Sequence, residues 1–169
     1  MKDAKIRKLV MSALFASLVF AATMVIRLPS PTGGYVNLGD CFVLLSGWLL
    51  GPWYGAAAAG IGSMLTDLLA GYTYYVPATL IIKAVDAMVA ALIFRAMERK
   101  RGALLISGIA GELIMIAGYF GFTALLLGKG FGALLSVPGD LVQGVTGIMI
   151  GIILMKLFEN SNTMKKLMK

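Results

Sequence analysis

The sequence predicts an all-α integral membrane protein, a bundle of six transmembrane helices with both termini cytoplasmic. Three observations lead there. First, 59% of the 169 residues are hydrophobic and only 14% are charged, with a mean hydropathy of +0.89, whereas a soluble domain carries roughly 25% charged residues. Second, apolar runs near the roughly 20 residues needed to cross hydrocarbon fill almost the whole chain, which leaves a single membrane domain over 1–169 and no room for a soluble catalytic one. Third, the basic residues sit at the ends of those runs.

The first helix is read over 6–26. Lys2, Lys5, Arg7 and Lys8 precede an apolar run from Leu9 to Ile26, which exceeds the roughly 7–15 residues of a secretion-signal core, so the helix is expected to be retained. Two prolines and two glycines between Arg27 and Gly34 cannot continue it. The second helix is read over 38–50, short for a crossing. Gly51-Pro52 turns the chain, flanked by Trp48, Trp53 and Tyr54, whose rings suit the headgroup level. The third helix is read over 53–70, and the tyrosine-rich Gly71–Pro77 loop leads into a fourth over 77–96. The fifth is read over 103–127, and after a loop from Gly128 to Ser136 the sixth over 137–158.

With the N-terminus inside, Lys2, Lys5, Arg7, Lys8, Arg95, Arg99, Lys100, Arg101, Lys156, Lys165, Lys166 and Lys169 all fall cytoplasmic. Only Arg27 and Lys129 fall outside, and Lys83 lies within the bilayer. A split of twelve to two fixes orientation, because cytoplasmic loops retain Lys and Arg. It leaves the crossing count open, since a re-entrant hairpin of the second and third helices would keep the other loops on the same sides. The net charge of +7 is therefore no nucleic-acid footprint, which needs basic residues gathered on a solvated face. One cysteine, Cys41, excludes an internal disulfide, and the absence of histidine excludes the familiar zinc sites. No metal and no cofactor is expected.

Asp67, Lys83, Asp86 and Glu112, with Asp40 and Asp140 at helix starts, each cost at least a few kcal/mol in lipid. They must face a protein interior or a wet cavity, or be neutralised. Depth counting at about 1.5 Å per residue places Asp40, Asp67, Lys83, Tyr119, Asp140 and Gln143 in the outer half, with Asp86 and Glu112 nearer the midplane. Tyr35, Asn37, Tyr72, Tyr74 and Tyr75 lie in the two outer loops. Such convergence fits a pocket open to the outside, where a small aromatic solute would meet tyrosine rings and a few polar groups. Plainer readings stand beside this one. Lys83 and Asp86, three apart, could neutralise each other; Asp40 and Asp140 could cap helices; the tyrosines could be interfacial anchors. Glu112 has no neutralising partner on its own helix, which points to a ligand or a buried network. On the first helix, Ser12 and Ala16, and Ala13, Ser17 and Ala21, form small-residue rows that let another helix approach, ordinary packing included.

The stretches Tyr35–Asp40, Leu49–Gly55, Asp67–Gly71, Pro77–Lys83, Glu112–Phe120 and Val137–Gln143, in that order, resemble the S components of energy-coupling factor (ECF) transporters, in the riboflavin, pyridoxine and hydroxymethylpyrimidine branch. The resemblance implies an S-component-like six-helix bundle in the bacterial cell membrane that binds a vitamin or precursor near its external face. It also implies a membrane coupling (T) protein contacted through Ala13, Ala16, Ser17 and Ala21, and two cytoplasmic ATPases. No Walker A pattern is present here, so ATP hydrolysis belongs to the partners, and no enzymatic activity is expected. Asp140 stands where relatives tend to carry Asn. The expected substrate contacts are Asn37, Asp40, Tyr74, Lys83, Glu112, Tyr119, Asp140 and Gln143. Pyridoxine or hydroxymethylpyrimidine is the preferred substrate and riboflavin the next. The rival reading is a self-sufficient proton-coupled carrier relaying protons through Asp67, Asp86 and Glu112.

Overall fold

A computed structural model of the chain describes residues 2–98, 100 and 102–159, with side chains from Lys5 onward. The side chain of Lys2 and the basic residues Arg99, Arg101, Lys165, Lys166 and Lys169 lie outside the described residues. Six α-helices run in the order α1 (Lys2–Val25), α2 (Asp40–Leu50), α3 (Pro52–Leu69), α4 (Val76–Ala96), α5 (Ala103–Gly121) and α6 (Val137–Glu159). Four segments are long and apolar enough by themselves to cross a membrane: Lys5–Val25, Val76–Ala96, Ala103–Leu126 and Gly130–Glu159.

The short helix is the central one. Ten of the eleven residues of α2 are buried, so it is apolar nearly all round because protein surrounds it on every side. Its neighbours are α1, α3, α4 and α6. A helix that never meets lipid has no need to match the bilayer's thickness. Leu44, Leu45, Trp48, Phe94 and Met155 form the core beside it. Trp48 is 2% exposed and its indole N–H donates to Ser107 Oγ at 3.0 Å. The expected headgroup position for Trp48 is therefore wrong: its polar edge found a partner on α5, which makes the core the better solvent. Trp53, on the far side of the turn, is 76% exposed.

Glycines set the spacing of this core. A Cβ on Gly47 would stand 2.4 Å from the Ala87 carbonyl oxygen, and one on Gly55 would stand 2.5 Å from that of Ser46. At the α2–α3 turn, Gly51 has φ +86°, a region that favours glycine, and Pro52 then opens α3 where no amide donor is needed.

Two short pieces depart from expectation. The segment after α1 is a hairpin: β1 (Arg27–Pro29) pairs antiparallel with β2 (Tyr35–Asn37), in register Arg27 with Asn37 and Pro29 with Tyr35. Its prolines stop the helix as expected, and a two-stranded ribbon, being all edge, tolerates Pro29. The fifth helix ends at Gly121 rather than near 127. The chain continues as a π-helical turn at Phe122–Leu126, and a 3-10 helix at Gly130–Leu135 precedes α6. The hairpin, the 70–75 loop and the 128–136 segment gather at one end of the bundle. There the Lys129 ammonium donates to the Thr32 carbonyl and the Tyr74 hydroxyl lies 3.5 Å from the Gly33 carbonyl.

Candidate functional site

Helical spacing builds the site from small polar residues. Ser63 and Asp67 are one turn apart on α3, Thr79, Lys83 and Asp86 follow one face of α4, and Asp140 and Gln143 share a face of α6. Under the hairpin these faces line a narrow cleft with a cavity volume of about 40 Å³, room for a few waters. The walls are Thr23 of α1, Asp67, Thr79, Lys83, Tyr119, Thr123 of the π-helical turn, Ser136, Asp140 and Gln143, with Tyr35 and Asn37 from β2 and Tyr75 from the loop.

One polar network runs through five elements. The backbone N–H of Asn37 donates to Gln143 Oε1 at 2.7 Å, and Gln143 Nε2 donates to Asp40 Oδ2 at 2.7 Å. Asp40 Oδ1 is ion-paired with the Lys83 ammonium, and that ammonium lies 5.7 Å from the centre of the Tyr119 ring. The Tyr119 hydroxyl bonds Thr79 Oγ1 at 3.1 Å. Hairpin, α6, α2, α4 and α5 are therefore tied around a single buried pair. Beside this network the Tyr35 hydroxyl donates to Asp67 Oδ1 at 2.5 Å. Burial and the Asp67 carboxylate hold the Tyr35 phenol far above its ordinary pKa, so it remains a donor at any physiological pH.

Several expectations are corrected by this geometry. Lys83 pairs with Asp40 rather than with Asp86 on its own helix. Asp40 does not cap α2, because both its oxygens are taken by Lys83 and Gln143; the N-terminus of α2 has no side-chain cap. As a contact Asp40 lies one layer behind the wall, as the counter-ion of Lys83. Tyr74 is 53% exposed and is not on the lining; the inward tyrosines are Tyr35 and Tyr75. Glu112 is also off the lining. It sits with Asp40 and Asp86, one oxygen of each within 4.8 Å of the others, and neither Asp86 nor Glu112 has a hydrogen-bond partner.

Among the described residues, then, Asp40, Asp67, Asp86, Glu112 and Asp140 are all buried against one buried ammonium, Lys83. Carboxylates in that number cannot all remain bare anions inside a bilayer, and protons or a cation must make up the balance. The three-acid cluster offers oxygen ligands of the kind that hard cations take, with the Lys83 ammonium already on one of them. Because Glu112 does not reach the pocket, Glu112→Gln is expected to leave ligand affinity within about threefold of wild type. Thermal stability should be equal or higher, since the change removes a potential buried charge; isothermal titration and a melting curve check both.

A family model described as ECF-type riboflavin transporter, S component, matches residues 3–160. The chain belongs to this S-component family. An uncharacterized protein from Pyrococcus woesei is 36% identical over 134 residues, which is 79% of this chain and 88% of that protein. The thiamine precursor transporter HmpT of Lactococcus lactis subsp. cremoris (strain MG1363) is 26% identical over 163 residues, 95% of this chain and 93% of that protein. Two solved structures share the fold. One is the S component of a bacterial ECF transporter, with TM-score 0.69, 18% identity and coverage of 92% of this chain and 97% of that one. The other is the S-component for biotin from an ECF-type ABC transporter, with TM-score 0.69, 17% identity and coverage of 100% and 99%. The S-component chain is thus a membrane protein that binds a substrate, and it is not an enzyme.

In this S component, sequence reasoning missed the hydroxyls of Thr23, Ser63, Thr79, Thr123 and Ser136 on the pocket wall. Single serines and threonines are unremarkable in apolar helices. The available signal was spacing, since Thr79 is one turn from Lys83 and Ser63 one turn from Asp67. Of the small residues of α1, Ala13, Ala16 and Ser17 line an apolar groove against α3, with Trp53, Tyr54 and Ile61 across from them. Ala21 is exposed but lies beyond that lining.

Proposed function

We propose that this S component captures a B-vitamin or vitamin precursor at the external face of the cell membrane, for ATP-driven uptake by partner subunits. The carrying observation is the pocket under the hairpin, where tyrosines, hydroxyls and the Lys83–Asp40 pair converge at one end of an otherwise apolar bundle. That end is the external one if Arg27 and Lys129, which flank the pocket's covering loops, are the basic residues left outside. Cytoplasmic termini follow from the same charge placement; six crossings, which that placement leaves open, are the preferred count. Asn37, Lys83, Tyr119, Asp140 and Gln143 are the proposed contacts, joined by Tyr35, Asp67 and Tyr75.

Pyridoxine or hydroxymethylpyrimidine is the preferred substrate, with riboflavin next. The similarity to a thiamine precursor transporter supports the pyrimidine. The α1–α3 groove supports the partner reading, because small residues on an exposed face admit close approach by a helix of a membrane coupling protein. Two cytoplasmic ATPases would complete the importer. The test is reconstitution in liposomes: sustained accumulation of labelled vitamin is expected only with the coupling protein, the ATPases and ATP.

A second reading, a self-sufficient proton-coupled carrier, is favoured by the unpartnered acids Asp86 and Glu112. It predicts accumulation by this chain alone that an uncoupler abolishes. That result would displace the importer reading.

A further inference from the structure

The pocket's charge and its one unsatisfied acceptor say what kind of ligand completes it. Asp140 stands in the first turn of α6 and is 8% exposed. It lines the pocket, and its Oδ2 has no hydrogen-bond partner. The other groups on the wall are already engaged: Asp67 accepts from Tyr35, Gln143 is held by Asn37 and Asp40, and Lys83, the one basic residue on the lining, is ion-paired with Asp40. Among the described residues of the lining, two carboxylates therefore face the space with no basic side chain beyond the engaged Lys83, and Asp86 and Glu112 add acid behind the wall. An anionic ligand would be repelled. A ligand presenting only acceptors to Asp140 would leave a buried oxygen unsatisfied, a state that proteins avoid.

We propose that the ligand is a small aromatic nitrogen heterocycle bearing an amino group, and that Asp140 selects it by accepting that amino N–H at Oδ2. The spare N–H groups of Lys83 and the hydroxyls of Thr79 and Tyr119 then face the ring nitrogens and hydroxyl substituents. This rests on the vitamin-capture reading and narrows it: an aminopyrimidine offers Asp140 an amine N–H, whereas pyridoxine could offer it only a hydroxyl.

The test uses the full-length protein in detergent and isothermal titration with four probes: 4-amino-5-hydroxymethyl-2-methylpyrimidine, its 4-oxo counterpart with a carbonyl where the amine stood, pyridoxine and riboflavin. The aminopyrimidine is expected to bind roughly ten- to a hundredfold more tightly than the 4-oxo compound, the range for one hydrogen bond to a charged group. In Asp140→Asn, with a melting curve showing the fold intact, that preference is expected to shrink to less than about threefold. Tightest binding of the 4-oxo compound, pyridoxine or riboflavin would overturn the proposed class while leaving vitamin capture standing. Wild-type discrimination in folded Asp140→Asn would remove Asp140 as the selecting group. Failure to bind any of the four would sink the capture reading itself, and the proposal with it.

Discussion

Replacing Asp40 with Ala is expected to destabilise the protein by about 3–5 kcal/mol, the range for removing one partner of a buried ion pair, and to abolish ligand binding. The cause lies in what the change strands. The Lys83 ammonium, 2% exposed, would lose its counter-ion, and Gln143 would lose the acceptor that fixes its amide toward Asn37. Hairpin, α6 and α4 would then come loose together. Removing both charges, in Asp40→Asn with Lys83→Met, is expected to restore most of the stability but not the binding. Thermal unfolding of the purified protein, read as a double-mutant cycle, separates these effects. A melting point for Asp40→Ala within a degree or two of wild type would mean the pair is not buried as described. Lys83→Ala is expected to lower stability as well as binding, since it leaves Asp40 an uncompensated anion beside Asp86 and Glu112.

Gly47→Leu is expected to be comparably damaging for a reason unrelated to charge. Its first side-chain carbon would fall against the Ala87 carbonyl, which is helix backbone and cannot rotate away. The helices α2 and α4 must separate to admit it, at about 3 kcal/mol or more, the upper range for overpacking. Because α2 carries Asp40 and α4 carries Lys83, the wedge also pulls the ion pair apart. Loss of monodisperse protein in detergent is the expected readout, with Gly47→Ala an intermediate case. A well-folded Gly47→Leu that still binds ligand would show that these helices pack less closely than the geometry states.

Much of the architecture was legible in the residues themselves, for identifiable reasons. Prolines and glycines at 29–34, 51–52 and 71–77 interrupt apolar runs that nothing else interrupts, so the helix ends could be read closely. The small strands could not, because Leu28 and Val36 give too short an alternation to distinguish a hairpin from a loop. The role of α2 was also hidden. Its brevity left a re-entrant hairpin with α3 open beside the preferred six crossings, and burial of ten of its eleven residues accounts for that brevity. In the site, depth counting brought Asn37, Lys83, Tyr119, Asp140 and Gln143 to one end, and all five line the same pocket. Depth says nothing of which way a side chain turns. That is why Lys83 and Glu112 were both expected contacts although only Lys83 lines the pocket, and why the Asp40–Lys83 partnership, 43 residues apart on two helices, left no local trace.

The covering hairpin is fastened by a handful of bonds: Lys129 to the Thr32 carbonyl, the Tyr35 hydroxyl to Asp67, the Tyr74 hydroxyl at the Gly33 carbonyl, and Asn37 to Gln143. Together such bonds are worth about 5–6 kcal/mol, so roughly one molecule in ten thousand stands ajar at any instant. A latch that weak unfastens on thermal motion alone. Loading this protein would thus need no fuel.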